Sequence, residues 1–175
     1  MTNHQDLRAF IRDVPDFPQP GVLFRDITPL LHDAGALRSA LDALAEYVAA
    51  KRPDALVAIE SRGFLFGAPL ADRLGLPLVP VRKPGKLPAE VMSVEYALEY
   101  GSGQLDIHKD AVKPGDGVVI LDDLLATGGT AAAAARLVQM VGGRVLGVAF
   151  LIELEALAGR AMLQDYDVFA LMAFA

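Results

Sequence analysis

Residues 118–130 read Val-Val-Ile-Leu-Asp-Asp-Leu-Leu-Ala-Thr-Gly-Gly-Thr, and the stretch that follows is rich in alanine. A short, mostly β-branched apolar run bounded this way reads as a central strand of a parallel sheet, here Val118 to Leu121. The alanines favour the helix that must return across that sheet, over Thr130 to Val141. The chain therefore turns at Ala126 to Thr130, at a helix N-terminus, where unpaired backbone N–H groups and the positive end of the helix dipole converge. Gly128 and Gly129 let the main chain curl around an anion without Cβ interference, and Thr127 and Thr130 add hydroxyl donors. Asp122 and Asp123 stand at the carboxyl end of the strand, where acceptor-only carboxylates suit the two hydroxyls of a ribose. The string reads as a site for a phosphorylated ribose. It contains neither the Gly-x-x-x-x-Gly-Lys pattern of a P-loop nor the Gly-x-Gly-x-x-Gly pattern of a dinucleotide fold.

Strand-like and helix-like segments alternate along the rest of the chain, the pattern of an α/β fold with a largely parallel sheet. Leu7, Phe10 and Ile11 predict a first helix over Gln5 to Asp13, ahead of the proline-rich Pro15 to Pro20. A short strand or extended loop follows at Leu23 to Ile27. Asp33 is placed to cap a helix with Leu37, Leu41, Leu44 and Val48 on one face, ending near Lys51 to Pro53. Leu56 to Ile59 reads as a buried strand, Glu60 to Gly63 as a turn, Phe64 to Leu74 as a helix and Leu78 to Arg82 as a strand. Between Lys83 and Ser93, Pro84, Gly85 and Pro88 punctuate a stretch without period, which reads as a long functional loop. Glu95 to Tyr100 and Gln104 to His108 flank Gly101-Ser102-Gly103 as a β-hairpin. Arg144 to Ile152 is a further strand, Glu155 to Leu163 a short helix, and Val168 to Met172 a last strand.

With 175 residues, 53% of them hydrophobic, the chain is expected to form one domain with a substantial core, residues 1–175. No apolar run is long enough to span a bilayer, and the first residues lack a basic-then-apolar leader, so a cytoplasmic protein with no membrane partner is expected. Zero cysteines exclude disulfides, thiolate nucleophiles and Cys-based zinc sites together. His4, His32 and His108 have no metal-ligand spacing and read as surface or structural. A net charge of −6 argues against a nucleic-acid partner. Locally, Arg82, Lys83 and Lys86 can still offer a positive lid to an anion.

Asp122-Asp123-Leu124-Leu125-Ala126-Thr127-Gly128-Gly129-Thr130 resembles the phosphoribosyl pyrophosphate (PRPP) motif of type I phosphoribosyltransferases. Three further segments are similar to the adenine-specific branch of that family. They are Phe17-Pro18-Gln19-Pro20-Gly21-Val22-Leu23-Phe24-Arg25-Asp26-Ile27, then Glu60-Ser61-Arg62-Gly63-Phe64-Leu65-Phe66-Gly67, then Arg82-Lys83-Pro84-Gly85-Lys86-Leu87-Pro88 with Leu98-Glu99-Tyr100-Gly101. They occur in the family's order over most of the chain, and the resemblance is weakest from about Gly159 onward. The family's fold is α/β: a central, mostly parallel β-sheet flanked by helices, with a flexible lid loop and a small N-terminal hood. By resemblance, residues 1–30 form the hood and base-binding segment, and 82–101 the lid loop and hairpin strand. The implied reaction transfers the phosphoribosyl group of PRPP to adenine, giving AMP and pyrophosphate, a purine salvage step.

The resemblance also distributes roles. Ala126, Thr127, Gly128, Gly129 and Thr130 would take the 5-phosphate. Asp122 and Asp123 would take the ribose hydroxyls and help stabilise the cationic sugar. Ser61 and Arg62, with Arg82, Lys83 and Lys86, would hold pyrophosphate, and arginine suits this because its planar fork grips phosphate oxygens in bidentate fashion. A cis peptide is implied between Glu60 and Ser61. Adenine would stack between Phe24 and Leu124, with the main chain from Leu23 to Arg25 reading its edge. Glu99 would assist proton movement at the purine as the lid closes. Mg²⁺ is implied by the pyrophosphate, held mainly by PRPP oxygens and water with Asp122 and Asp123 nearby and no direct protein ligand. A homodimer is the implied assembly. Two other readings remain at this point: a 6-oxopurine phosphoribosyltransferase, and a regulatory PRPP-binding protein without catalysis. The adenine-type segments and Glu99 argue against the first, and the lack of spare length or a basic patch for a DNA-binding element argues against the second.

Overall fold

The computed structural model describes residues 6–97 and 102–175, which separate into two compact units, Met1–Ala43 and Leu44–Ala175. In the first, a 3₁₀ turn at Leu7–Phe10 leads into β1 (Arg12–Pro15), paired antiparallel with β2 (Leu23–Asp26). The helix expected over Gln5 to Asp13 is thus a single tight turn. Pro15 disfavours helical backbone at the β-branched Val14 before it, and Arg12 is drawn across the ribbon to Asp26, its Nε donating to Oδ2 at 3.0 Å. A short helix α1 (Thr28–His32) follows. Then comes α2 (Ala34–Lys51), whose first turn is capped as expected, Asp33 Oδ1 accepting from the Ala36 N–H at 2.8 Å. Its buried stripe is Ala36, Ala40, Ala43, Leu44 and Val48, while Leu37 and Leu41 are only half-buried. The buried face is rotated toward the alanines.

The second unit is built on a five-stranded sheet in which every pairing is parallel, in the order β4-β3-β7-β8-β9. The strands are β3 (Ala55–Ile59), β4 (Leu78–Val81), β7 (Gly117–Leu125), β8 (Arg144–Leu154) and β9 (Val168–Phe174). The run Val118 to Leu121 lies in the middle of the sheet and is buried throughout, as its composition predicts. Helix α3 (Gly63–Leu74) follows β3 and lies close to it: a Cβ on Gly67 would stand 2.7 Å from Ala58 Cβ. Helix α4 (Gly129–Met140) follows β7, burying Ala131, Ala133, Ala134, Ala135, Leu137 and Val138. An antiparallel hairpin of β5 (Val91–Ala97) and β6 (Ser102–His108) adds Val94, Leu105 and Ile107 to the core shared by the sheet and α4. The hairpin expected from the sequence is present, but its ladder begins at Val91, inside the stretch read as loop, and takes in Ser102 and Gly103, read as turn.

Two departures concern the C-terminal third. Glu155 to Leu163 is two 3₁₀ segments, Glu155–Leu157 and Gly159–Leu163, rather than one helix, broken at Ala158 with φ of 49°. Strands β8 and β9 both run two residues beyond their expected ends. Among the described residues no helix is long and apolar enough to cross a membrane.

Candidate active site

A cavity of about 510 Å³ opens at the carboxyl ends of β3 and β7, where parallel α/β sheets characteristically bind ligands. The turn Glu60-Ser61-Arg62 after β3 forms one wall, and Asp122 to Gly128, with Thr130 and Ala131, the opposite one; Lys83, Tyr96 and Phe150 complete the lining. The peptide between Glu60 and Ser61 is cis, as the resemblance implied.

Glycine sets the spacing of these walls. A Cβ on Gly63, the first residue of α3, would lie 2.8 Å from the Leu121 carbonyl oxygen and 3.2 Å from Asp122 Oδ1. Only glycine lets the start of α3 come this close to β7, and that approach carries Arg62 to the acidic pair. Arg62 Nε stands 2.6 Å from Asp123 Oδ2. On the opposite wall, Gly128 adopts φ of 86°, the left-handed region that favours glycine, and α4 begins at the next residue with no side chain capping it. The orphan amides of that first turn are therefore left to an outside acceptor.

The two aspartates have different surroundings. Strand β7 continues through both, to Leu125, so they lie within its last turns of ladder rather than beyond its end. Asp123 is buried and paired with Arg62. Asp122 is half-buried, and its Oδ1 accepts the Asp123 N–H at 2.8 Å. Loss of hydration, and next the charge of Asp123, push the Asp122 carboxyl well above the usual carboxylate range, against smaller opposing effects of the Asp123 N–H and Arg62.

Of the residues singled out in the sequence, Ser61, Arg62, Lys83, Asp122, Asp123, Leu124, Ala126, Thr127, Gly128 and Thr130 line this one cavity. Gly129 is the first residue of α4 beside it. Arg82 and Lys86 are not on the cavity wall: Arg82 Nε donates to Glu60 Oε2 at 3.1 Å, and its Nη1 donates to the Lys86 carbonyl at 3.1 Å. Leu23, Phe24 and Arg25 belong to β2 in the other unit, where Phe24 meets Phe17 edge-on, ring centroids 5.1 Å apart, and Arg25 pairs with Asp13. Glu99, with Leu98, Tyr100 and Gly101, lies outside the described residues.

Five lining residues had drawn no role from the sequence: Leu125 and Ala131, which flank the turn, and Glu60, Tyr96 and Phe150. Glu60 ties the turn to the root of the 83–90 loop, its Oε2 accepting the Lys83 N–H at 3.0 Å as well as Arg82. That N–H, opposed by burial, and then Arg82 and Lys86, hold the Glu60 carboxyl below its ordinary range. Tyr96 crosses from β5, with its hydroxyl 3.4 Å from Thr130 Oγ1. Its cross-strand partner is Gly103, where any Cβ would fall 2.7 Å from the Tyr96 ring. An aromatic residue facing a glycine across a hairpin is the one sequence signal available for it. Phe150, buried on β8, forms part of the lining. Among the described residues no group of three or more His, Asp or Glu side chains gathers to form a metal cage.

Comparison with known proteins agrees with this geometry. The phosphoribosyl transferase domain model matches residues 30–172. An adenine phosphoribosyltransferase of Synechococcus is 54% identical over 169 residues, 97% of this chain and 99% of the relative. The crystal structure of adenine phosphoribosyltransferase from Thermoanaerobacter pseudethanolicus superposes with a TM-score of 0.94 at 54% identity, over 98% of this chain and 99% of that one. The Saccharomyces cerevisiae enzyme, solved in complex with an imino-altritol bisphosphate and adenine, superposes with a TM-score of 0.91 at 42% identity, over 96% and 97% of the two chains.

Proposed function

The chain belongs to the adenine phosphoribosyltransferases of the type I family, which transfer the phosphoribosyl group of PRPP to adenine and release pyrophosphate, and we propose how its residues divide that work. The observation that carries the assignment is the convergence, in one cavity, of an uncapped helix N-terminus, an acidic pair and an arginine. The Ala126 to Thr130 turn takes the 5-phosphate on its backbone amides and on the Thr127 and Thr130 hydroxyls. Asp122 and Asp123 take the ribose hydroxyls. As the bond from C1 to pyrophosphate lengthens, the sugar becomes cationic, and a preorganised pair of acidic groups beside it stabilises that charge. A developing positive charge favours the ionised form of Asp122, opposing the burial that raises its pKa. Ser61, Arg62 and Lys83 receive the departing pyrophosphate, and Arg82 and Lys86 contribute when the 83–90 loop moves over the site.

The donor set fits Mg²⁺ carried by the substrate. Among the described residues no acidic cage gathers, so PRPP oxygens and water would hold the ion, with Asp122 and Asp123 nearby as acceptors for its waters rather than as direct ligands. When bound, the ion would neutralise charge on the pyrophosphate. Adenine is assigned to Leu23, Phe24, Arg25 and Leu124, and proton movement at the purine to Glu99. The protein is further proposed to act as a cytoplasmic homodimer. In support, α3 leaves Leu65, Ala68 and Pro69 exposed at helical spacing, an apolar patch on the first two turns of its outer side, followed on the same side by the exposed charges of Asp72 and Arg73.

The deciding experiment incubates the purified protein with Mg²⁺ and PRPP and offers adenine, hypoxanthine, guanine or xanthine separately. AMP formation from adenine alone is expected. Product from an oxopurine would move the base assignment, and PRPP binding without product would favour a regulatory protein.

A further inference from the structure

The segment after β8 touches the phosphate turn from behind, main chain against main chain. A Cβ on Gly159 would stand 2.2 Å from the Ala126 carbonyl oxygen and 2.8 Å from Leu125 Cδ1. Conversely, a Cβ on Gly128 would stand 2.3 Å from the Gly159 carbonyl oxygen. The nearest obstacle in each direction is a carbonyl oxygen of the main chain, which cannot swing away as a side chain can, so the two backbones interlock and each needs glycine at the contact. The segment is in turn fastened to the sheet. Arg160 donates from Nε to Glu153 Oε1 at 2.8 Å, from Nη2 to Glu153 Oε2 at 2.7 Å and from Nη1 to the Val168 carbonyl at 2.9 Å. Glu153 is 6% exposed and sits on β8 directly opposite Leu125, the last strand residue before the turn. A buried acid costs stability unless it is fully paired, and the chemistry of the cavity makes no use of this one.

We propose that Gly159, Arg160 and Glu153 are positioning residues for PRPP: they form a rigid backing that sets the shape of the 5-phosphate turn. A turn with two adjacent glycines has many conformations of its own, and its amides grip phosphate only when held in one of them. The backing supplies that restraint from a part of the chain that contributes no ligand. Arg160 anchors the segment to β8 and β9, and Gly159 transmits that anchorage to Ala126 and Gly128. The inference rests on the assignment of the turn to the 5-phosphate.

The test compares Gly159→Ala and Arg160→Lys with the parent and with Thr130→Val. Steady-state kinetics give KM for PRPP, KM for adenine and kcat; calorimetry gives the affinities for ribose 5-phosphate and for pyrophosphate; a thermal melt reports folding. Expected are a rise of about tenfold or more in the ribose 5-phosphate Kd and the PRPP KM for Gly159→Ala, and about threefold for Arg160→Lys, with pyrophosphate affinity and adenine KM within about twofold. Equal losses for ribose 5-phosphate and pyrophosphate would mean a general structural role and overturn the proposal. So would unchanged ribose 5-phosphate affinity in a folded Gly159→Ala. If Gly159→Ala does not fold, the same split in Arg160→Lys decides. Thr130→Val separates the two levels. If it leaves ribose 5-phosphate binding intact, the assignment of the turn fails; if it weakens binding while the Gly159 and Arg160 variants do not, only the positioning role fails.

Discussion

Asp122 and Asp123 are neighbours in sequence, yet one is paired with Arg62 and the other is held above its usual pKa by lost hydration and by its neighbour's charge. A raised folded-state pKa on an acid means stability that is complete below the unfolded carboxylate pKa and is lost as pH rises through the folded value. Asp122 therefore opposes folding of the ligand-free protein at neutral pH. Asp122→Asn is expected to raise the thermal midpoint at pH 8, by scanning calorimetry, while lowering kcat by about 10²-fold because the charge facing the cationic sugar is gone. A lowered midpoint would show that the carboxylate is better accommodated than its surroundings imply. The acidic pair and the glycine turn were legible in the sequence because their residue types are unusual in that order after a buried strand, whereas Arg62 drew its role only from the resemblance of residues 60–67 to the family. Tyr96, Phe150 and Glu60 were not legible. A tyrosine or glutamate reaches a cavity only through strand register and the path of a loop, which single-residue chemistry does not encode.

At the scale of elements, short β-branched strands were legible because burial on both faces dictates their composition, and α2 announced itself through Asp33 and its period. The first helix was misread because three apolar residues at helical spacing fit one 3₁₀ turn equally well, and Pro15 then imposes extended backbone. The break at Ala158 was hidden because alanine ordinarily favours helix; tertiary contact at Gly159 overrides that preference. Two joints between elements make predictions. Glu60 links the turn after β3 to the loop after β4, and its pKa is depressed, so its contribution is present above the unfolded carboxylate pKa and lost as pH falls through the lower folded value. Glu60→Gln should lower the thermal midpoint near pH 8, where the contribution is present, and flatten the acid limb, so that parent and variant converge below the usual carboxylate pKa; an acid limb identical to the parent's would remove Glu60 from the joint. Tyr96 links the β5–β6 hairpin to the first turn of α4 through Thr130. Tyr96→Phe keeps the ring over Gly103 and loses only the hydroxyl, so PRPP KM should rise by about three- to tenfold with a smaller change in adenine KM. Equal changes in both would place the hydroxyl elsewhere in the mechanism.

At the scale of the whole molecule, α3 carries an apolar patch that the fold itself does not cover. Its inner face is closed against the sheet through Gly67 and Phe66, and its outer face shows Leu65, 47% exposed, with Ala68 and Pro69 beside it on the same side. The apolar patch covers the first two turns of the outer face and is bounded by the exposed Asp72 and Arg73, an apolar centre with a charged rim that suits a second copy, and the same helix begins at Gly63, one residue after Arg62. A second copy covering this face would hold the pyrophosphate turn at its base, so assembly and activity should be lost together. Leu65→Glu places a charge in the middle of the face while leaving the core untouched. Light scattering at micromolar concentration is expected to show a dimer for the parent and a monomer for Leu65→Glu, with kcat/KM for PRPP reduced by about tenfold or more in the monomer. An active monomer would separate the two properties and leave the apolar side of α3 to a different partner; a dimer that persists in the variant would move the interface to another face.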